Sequence, residues 1–287
     1  MFRRLSGYAL QRQKMNRDPK TGRIRPAAVA GRFYPGDPGQ LRQVIESLLA
    51  TAPSPTGPSP KALIAPHAGY IYSAPIAASA YAQLVPDRES IKRIVLLGPS
   101  HFVAFEGLAA SSAGAFATPL GLVPVDLETM CALSTLPEIT FFDEAHTREH
   151  ALEVHLPFLQ VVLDQFTLIP LLAGDATPEQ VSRVLDTLWD GPETRIVISS
   201  DLSHYLDYAA ARDLDRVTAE AIEALRPEAI AEGQACGRTP ICGLLDAATR
   251  RHLRSRTLDL RNSGDTAGPR NQVVGYGAFA FDEAANS

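Results

Sequence analysis

Four short runs, ALIA (62–65), RIVLLG (93–98), TLIPLLAG (167–174) and RIVISS (195–200), are apolar at nearly every position and rich in Val, Ile and Leu. Unbroken apolarity over four to eight residues predicts strands covered on both faces, because a strand with one wet face alternates. Other segments carry apolar residues every three to four positions: LRQVIESLLA (41–50), APIAASAYAQL (74–84), EVHLPFLQVVL (153–163), PEQVSRVLDTLW (178–189), ARDLDRVTAEAIEAL (211–225) and ICGLLDAATRRHL (241–253). That period predicts helices. Strands alternating with helices make a single α/β domain, with a mostly parallel or mixed central sheet and helices on both faces. Between 105 and 125 the pattern loosens into a hairpin excursion, and VVGYGAFAF (273–281) reads as a last strand. The Pro/Ser/Gly stretch TAPSPTGPSP (51–60) is a linker, but the one amphipathic helix before it cannot form a core alone and must pack on the rest of the chain.

Composition narrows this picture. The 287 residues are 45% hydrophobic, enough for a large core, and the formal charge of -5 gives no general attraction for nucleic acid or an anionic membrane. Residues 1–23 depart from that balance: Arg3, Arg4, Arg12, Lys14, Arg17, Lys20 and Arg23 stand against Asp18 alone, without the apolar core of a signal peptide. They are expected to be a disordered basic extension before a domain spanning 24–285. The longest apolar stretch, 156–174, is broken by Pro157, Asp164 and Pro170, so a helix followed by a strand is expected and no membrane span. Three cysteines, Cys131, Cys236 and Cys242, are too few for a disulfide framework and suit a reducing, cytoplasmic setting.

The candidate chemistry lies where strands end. KALIAPH, RIVLLGPSH and RIVISSDLSH finish on His67, His101 and His204. Ligands collect outside the carboxyl ends of parallel strands, where loops carry polar groups without disturbing the core. One histidine there is most simply a loop residue bonded to backbone; three in corresponding places indicate a shared site. Pro66 and Pro99 stiffen these turns and Gly69 and Gly98 tighten them. Asp201 either orients or deprotonates an imidazole, or is a turn or capping aspartate. In CGRTPICGLL, Thr239 reads as an N-cap and Pro240 as the first position of a helix starting near Ile241, so Cys236 precedes a helix N-terminus with Arg238 beside it. Both favour thiolate over thiol. Cys131 and Cys242 read as small hydrophobes. In DEAHTREHALEVHLPF, His146 and His150 are four apart, as are Glu149 and Glu153; on a helix each pair shares a face. No HExxH is present, and solvated charge pairs are the plain alternative, with His150, Glu153 and His155, together with Arg238, the candidates to support metal ligands from behind.

RPAAVAGRFYPGD, APHAGYIYSAPIAASAY, GPSH, EHALEVHLPF, SSDLSHY, CGRTPI and NSGDTAGPRNQVVGYGAF, in this order over about 24–281, resemble the Memo family, also called the AmmeMemoRadiSam system protein B family. The resemblance implies a fold similar to the class III extradiol dioxygenases of the LigB type. It implies a metal site of two histidines and a cysteine at His67, His101 and Cys236, with His204 and Asp201 as pocket neighbours that handle protons. Iron(II) or copper(I) is the implied metal, with zinc(II) the alternative. It also implies a functional link to a radical SAM enzyme and an AMMECR-type protein, and, from the animal homologue, roles in motility signalling and phosphopeptide contacts. Phe33 stands where the animal proteins have tryptophan lining the pocket.

Three functions are compatible with these residues. One is a non-haem metal protein working by redox or oxygen chemistry on an unknown small molecule; thiolate in place of the usual carboxylate softens the ligand set and moves it away from ordinary ring cleavage. Another is a metal-free enzyme with Cys236 as nucleophile, His204 as base and Asp201 as orienter. The third is a non-catalytic scaffold whose pocket holds a peptide or partner. No P-loop, no GxGxxG after a strand, no paired CxxC and no GxSxG elbow is present.

Overall fold

The structure, a computed structural model, describes residues 20–283. Along the chain run β1 (Lys20–Arg25), α1 (Pro38–Thr51), β2 (Ala62–Ala65), α2 (Tyr70–Tyr81), β3 (Arg93–Pro99), β4 (Leu108–Ala110), β5 (Ala113–Thr118) and β6 (Gly121–Pro124). Next come α3 (Leu127–Leu133), β7 (Ile139–Phe141), α4 (Asp143–Thr147), α5 (Leu156–Val162), β8 (Thr167–Ala173) and α6 (Pro178–Leu188). The chain closes with β9 (Thr194–Ser199), β10 (His204–Leu206), α7 (Tyr208–Glu223), α8 (Arg238–Arg250), β11 (Arg254–Asn262) and β12 (Val273–Asp282).

The main sheet has the order β10-β12-β2-β9-β3-β8-β4-β7, with β11 also paired to β12. Its centre is the four predicted apolar runs, β2, β9, β3 and β8, all parallel. β12 and β4 flank them antiparallel, which makes the sheet mixed. The four central strands are buried almost throughout, as their sequences require. The crossover β2-α2-β3 moves one way along the sheet and β8-α6-β9 moves back, so right-handed connections place α2 and α6 on opposite faces. α1 and α5 pack with α2, and α8 packs with α6. No described helix is long and apolar enough to cross a membrane.

The excursion at 105–125 does contain a hairpin, β5 antiparallel to β6. Its other edge is taken by β1, which pairs parallel to β5. Residues 20–23, expected to belong to the disordered extension, are therefore part of a strand, and Arg23 reaches Asp143 at 2.9 Å. The remainder of that extension lies outside the described residues. Two elements differ from expectation. β11 lies in RSRTLDLRN, a segment for which no element is expected from the sequence, and it pairs with β12 along its whole length. EVHLPFLQVVL is not one helix but a 3₁₀ turn at Glu153–His155 followed by the short α5.

Glu153, expected to back a metal ligand, instead locks the N-terminal segment to the core. Fully buried, it accepts from the amides of Ala28 (2.7 Å) and Val29 (2.9 Å), from the Tyr34 hydroxyl (2.6 Å) and from the Arg25 guanidinium. Arg25 in turn donates to the carbonyls of His146 and Glu149. Removing one member of a buried ion pair strands the other, so Glu153→Gln is expected to lower stability by about 3–5 kcal/mol, read as a fall in the urea midpoint. A second buried carboxyl, Asp215, accepts from the Ser203 amide at 2.9 Å while its other oxygen has no partner among the described residues. Burial raises it to about 6. The unfolded chain then gives up this proton at lower pH than the fold does, so its contribution is full below pH ~4 and is lost as pH rises through about 6. Between pH 5 and 8 the wild type should lose about 1.4 kcal/mol relative to Asp215→Asn in parallel unfolding curves.

Candidate metal centre

β2 and β9 are in register with Ala65 opposite Ser199, and β9 and β3 with Ile198 opposite Leu97, so three strand ends stand side by side. His67 follows the end of β2 by two residues and His101 follows the end of β3 by two. The corresponding place after β9 is occupied by Asp201. His204 does not share that position: it opens the edge strand β10, paired with β12.

Cys236 reaches the same place from the other direction, ahead of α8. The helix is capped by Gly237 and starts at Arg238, two to three residues earlier than the Thr-Pro signal suggests. A Cβ on Gly237 would stand 2.7 Å from the Ser199 carbonyl oxygen, so only glycine lets this turn close on the end of β9. The Cys236 amide donates to the Asp201 carbonyl at 3.2 Å, and Cys236 Sγ lies 3.3 Å from both His67 Nε2 and the Asp201 amide nitrogen. One ligand atom each from His67, His101 and Cys236 fall within 4.8 Å of one another.

Both imidazoles are held from behind. His67 Nδ1 meets Ser199 Oγ at 2.6 Å, and His101 Nδ1 meets Glu149 Oε1 at 2.9 Å. The Glu149 carboxylate also accepts from the amides of His101 (2.6 Å), His150 (2.8 Å) and Ala151 (2.9 Å). Burial alone would lift Glu149, but the bonds from His101 and Ala151 outweigh it and hold the carboxyl below its usual range. An ionised Glu149 therefore accepts a hydrogen bond from the Nδ1–H of His101, which leaves the ring's lone pair on Nε2. His67 is buried, and that burial, with other imidazoles nearby, keeps it neutral well below the ordinary histidine range.

The surrounding expectations divide. His150 is at the site, half-buried and stacked on His101 with centroids 4.7 Å apart, and burial pulls it down to about 4 despite the nearby Glu149. Phe33 packs against the His150 ring at 4.8 Å, and the exposed Phe102 approaches it at 5.9 Å. His155 lies behind Ser199, with Nε2 at 2.8 Å from its hydroxyl. His146 does not take part: α4 stops at Thr147, so it shares no helical face with His150, and its ring meets the Ala109 carbonyl at 3.1 Å. Asp201 is committed to the loop, its Oδ1 accepting from the His67 amide at 2.8 Å, and burial raises its carboxyl to about 7. His204 makes no hydrogen bond to these side chains, but stands close enough to His67 and His101 for their charges to be felt; burial lowers it. Arg238 turns its Nε to the Ile230 carbonyl at 2.6 Å.

The residues that sequence reasoning left unassigned are Glu149, Ser199 and Tyr81, whose hydroxyl lies 2.7 Å from His155 Nδ1. Glu149 was visible only as half of an i, i+4 pair, and nothing local marks the other two. The expectation of a ready thiolate is also corrected. Burial pushes the Cys236 thiol up to about 12, the Asp201 carboxyl adds to this, and hydrogen bonds from the amides of Asp201 and Gly237 and from Ser200 only partly offset them. Desolvation outweighs the helix terminus. The metal-free protein is therefore expected to react slowly with iodoacetamide at Cys236 at pH 8, after the exposed Cys131. Peptide mass spectrometry over time checks the order, and rapid labelling of Cys236 would contradict it.

Known proteins match this chain along most of its length. The family model described as "Memo-like protein" matches residues 25–280. A MEMO1 family protein of Aquifex aeolicus is 34% identical over 270 residues, covering 90% of this chain and 99% of the relative. One of Metallosphaera sedula is 32% identical over 281 residues, covering 90% and 99%, and one of Methanothermobacter thermautotrophicus is 36% identical over 279 residues, covering 88% and 98%. With a match across nearly the whole described structure, this chain belongs to the Memo family.

Proposed function

We propose that the chain is a non-haem metal protein in which His67, His101 and Cys236 hold one iron(II) or copper(I) ion, for redox or oxygen chemistry on a small molecule. The observation that carries this reading is the convergence of one thiol and two imidazoles within 4.8 Å, each imidazole bonded from behind through Nδ1 so that Nε2 is left for an ion. Donors of this kind suit a soft or borderline cation; two histidines with one thiolate favour copper(I), thiolate-bound iron or zinc(II) over magnesium or calcium. A cation also accounts for the cysteine, since a buried thiol can give up its proton only where another positive charge takes the proton's place. Bound there, iron or copper would supply electrons one at a time and an open coordination position.

The chain's own residues supply the rest. His101 is on the exposed side, and His150, stacked on it, has the rings of Phe33 and Phe102 packed against it. A cavity of about 280 Å³ reaches Cys236 past Ser100, Phe105 and Asp175, near the lower limit of ligand pockets and suited to a small molecule. His204 exchanges protons with that molecule, while Asp201 keeps the His67 loop in place. The nucleophilic-cysteine reading has less support, because the ring beside the sulfur is His67 rather than His204 and the thiol is held neutral.

Anaerobic titration of the purified chain with iron(II), and with copper(I) against a chromogenic competitor, tests the proposal. The wild type is expected to bind one ion. His67→Ala, His101→Ala and Cys236→Ala should each weaken binding more than about 100-fold, beyond the 10–100-fold typical of losing an outer hydrogen-bond partner. Unchanged occupancy in all three variants would remove the reading.

A further inference from the structure

Ser199, the last residue of β9, is fully buried and its hydroxyl has three neighbours: the Ala151 carbonyl at 2.6 Å, His67 Nδ1 at 2.6 Å and His155 Nε2 at 2.8 Å. A hydroxyl has one proton to donate and two lone pairs to offer. A carbonyl only accepts, so the Ser199 proton goes to Ala151. Both imidazole nitrogens must then be donors, and each must carry a hydrogen.

Two tautomers are thereby settled. His67 is protonated on Nδ1, which leaves the lone pair on Nε2, the nitrogen 3.3 Å from Cys236 Sγ. His155 is protonated on Nε2, which leaves Nδ1 to accept from the Tyr81 hydroxyl at 2.7 Å. The chain Tyr81–His155–Ser199–His67 thus runs from α2 behind the sheet to the pocket with every proton placed. The other tautomer of His67 would need the Ser199 proton for itself, would strip the Ala151 carbonyl of this donor, and would point an N–H at the sulfur.

Packing protects the arrangement. A Cβ on Gly98 would come within 3.1 Å of Ser199 Cβ and 3.3 Å of Ala151 Cβ, so the glycine at the end of β3 leaves the serine just the room it has. Tyr81 is itself fully buried and stacked on Phe158 at 5.2 Å, which keeps its hydroxyl aimed at His155. Tyr81, His155, Ser199 and His67 are all buried, so packing on every side holds this chain of groups in place.

We propose that Ser199, ordered by His155 and Tyr81, is the positioning residue that locks His67 as the Nδ1–H tautomer and presents Nε2 to the pocket, doing for His67 what the Glu149 carboxylate does for His101. That this presentation governs metal affinity rests on the proposed metal function; the tautomer assignment itself does not.

The two are separable by experiment. Histidine ¹⁵N chemical shifts and long-range ¹H–¹⁵N couplings, measured on the metal-free full-length chain, report each ring's tautomer. His67 is expected as Nδ1–H and His155 as Nε2–H; a His67 found as Nε2–H overturns the proposal without reference to any metal. In Ser199→Ala, His67 should show a mixture of tautomers, and iron(II) or copper(I) affinity should fall about 10–100-fold. Tyr81→Phe, which removes one oxygen and keeps the volume, should release His155 first and weaken binding less than Ser199→Ala. A single unchanged His67 tautomer in both variants would also overturn the proposal. Wild-type protein with the expected tautomers and no metal uptake would instead overturn the metal reading and leave the positioning assignment standing.

Discussion

Parallel strand register is the constraint on which the site depends. β2, β9 and β3 are hydrogen-bonded neighbours whose ends come level, so the loops after them start from nearly the same plane. Their mutual alignment is dictated by burial, since these runs are apolar on both faces and are covered by α2 on one side and by α6 and α8 on the other. Once that alignment exists, His101 and Asp201, far from His67 in the chain, lie beside it with no further folding step. The turn before α8 then only has to bring one sulfur inward.

A pocket assembled this way collects groups that are hard to charge. Buried imidazoles lose their protonated form, the thiol loses its ionised form, and the Asp201 carboxyl is pushed toward neutrality. The exception is Glu149, kept ionised because amides and a ring N–H converge on it. Neutral donors with fixed lone pairs, and one proton that a cation can displace, are the features a metal requires of a desolvated site. Behind the rings the protein places a hydroxyl for His67 and one ionised carboxylate for His101.

The same segment that supplies Glu149 also closes the fold at Glu153. Residues 149–155 bond to the His101 loop through Glu149, to Ser199 through Ala151 and His155, and to the N-terminal segment through Glu153. This economy explains why the segment abandons regular helix: its backbone amides at 150 and 151 are used by Glu149 instead of by an α-helical ladder.

Much of this protein was legible in the amino-acid order. Unbroken Val/Ile/Leu runs announced the central strands, helical periods announced the covering layers, and the glycines and prolines after the strands marked where His67 and His101 leave the sheet. These are local consequences of burial and backbone freedom, which a short window of sequence carries. Tertiary structure decided what depends on distant partners: that Asp201 rather than His204 stands level with the two histidines, that β11 forms because β12 offers an edge, and that Glu153 belongs to Arg25 and the N-terminal segment. It also decided the charge state of Cys236, since a helix start and a nearby arginine are visible in sequence while the loss of water around sulfur is not. Ser199 makes the point most plainly: a serine closing an apolar strand has no signature of its own, and its role exists only because folding brings a carbonyl and two imidazoles to one hydroxyl.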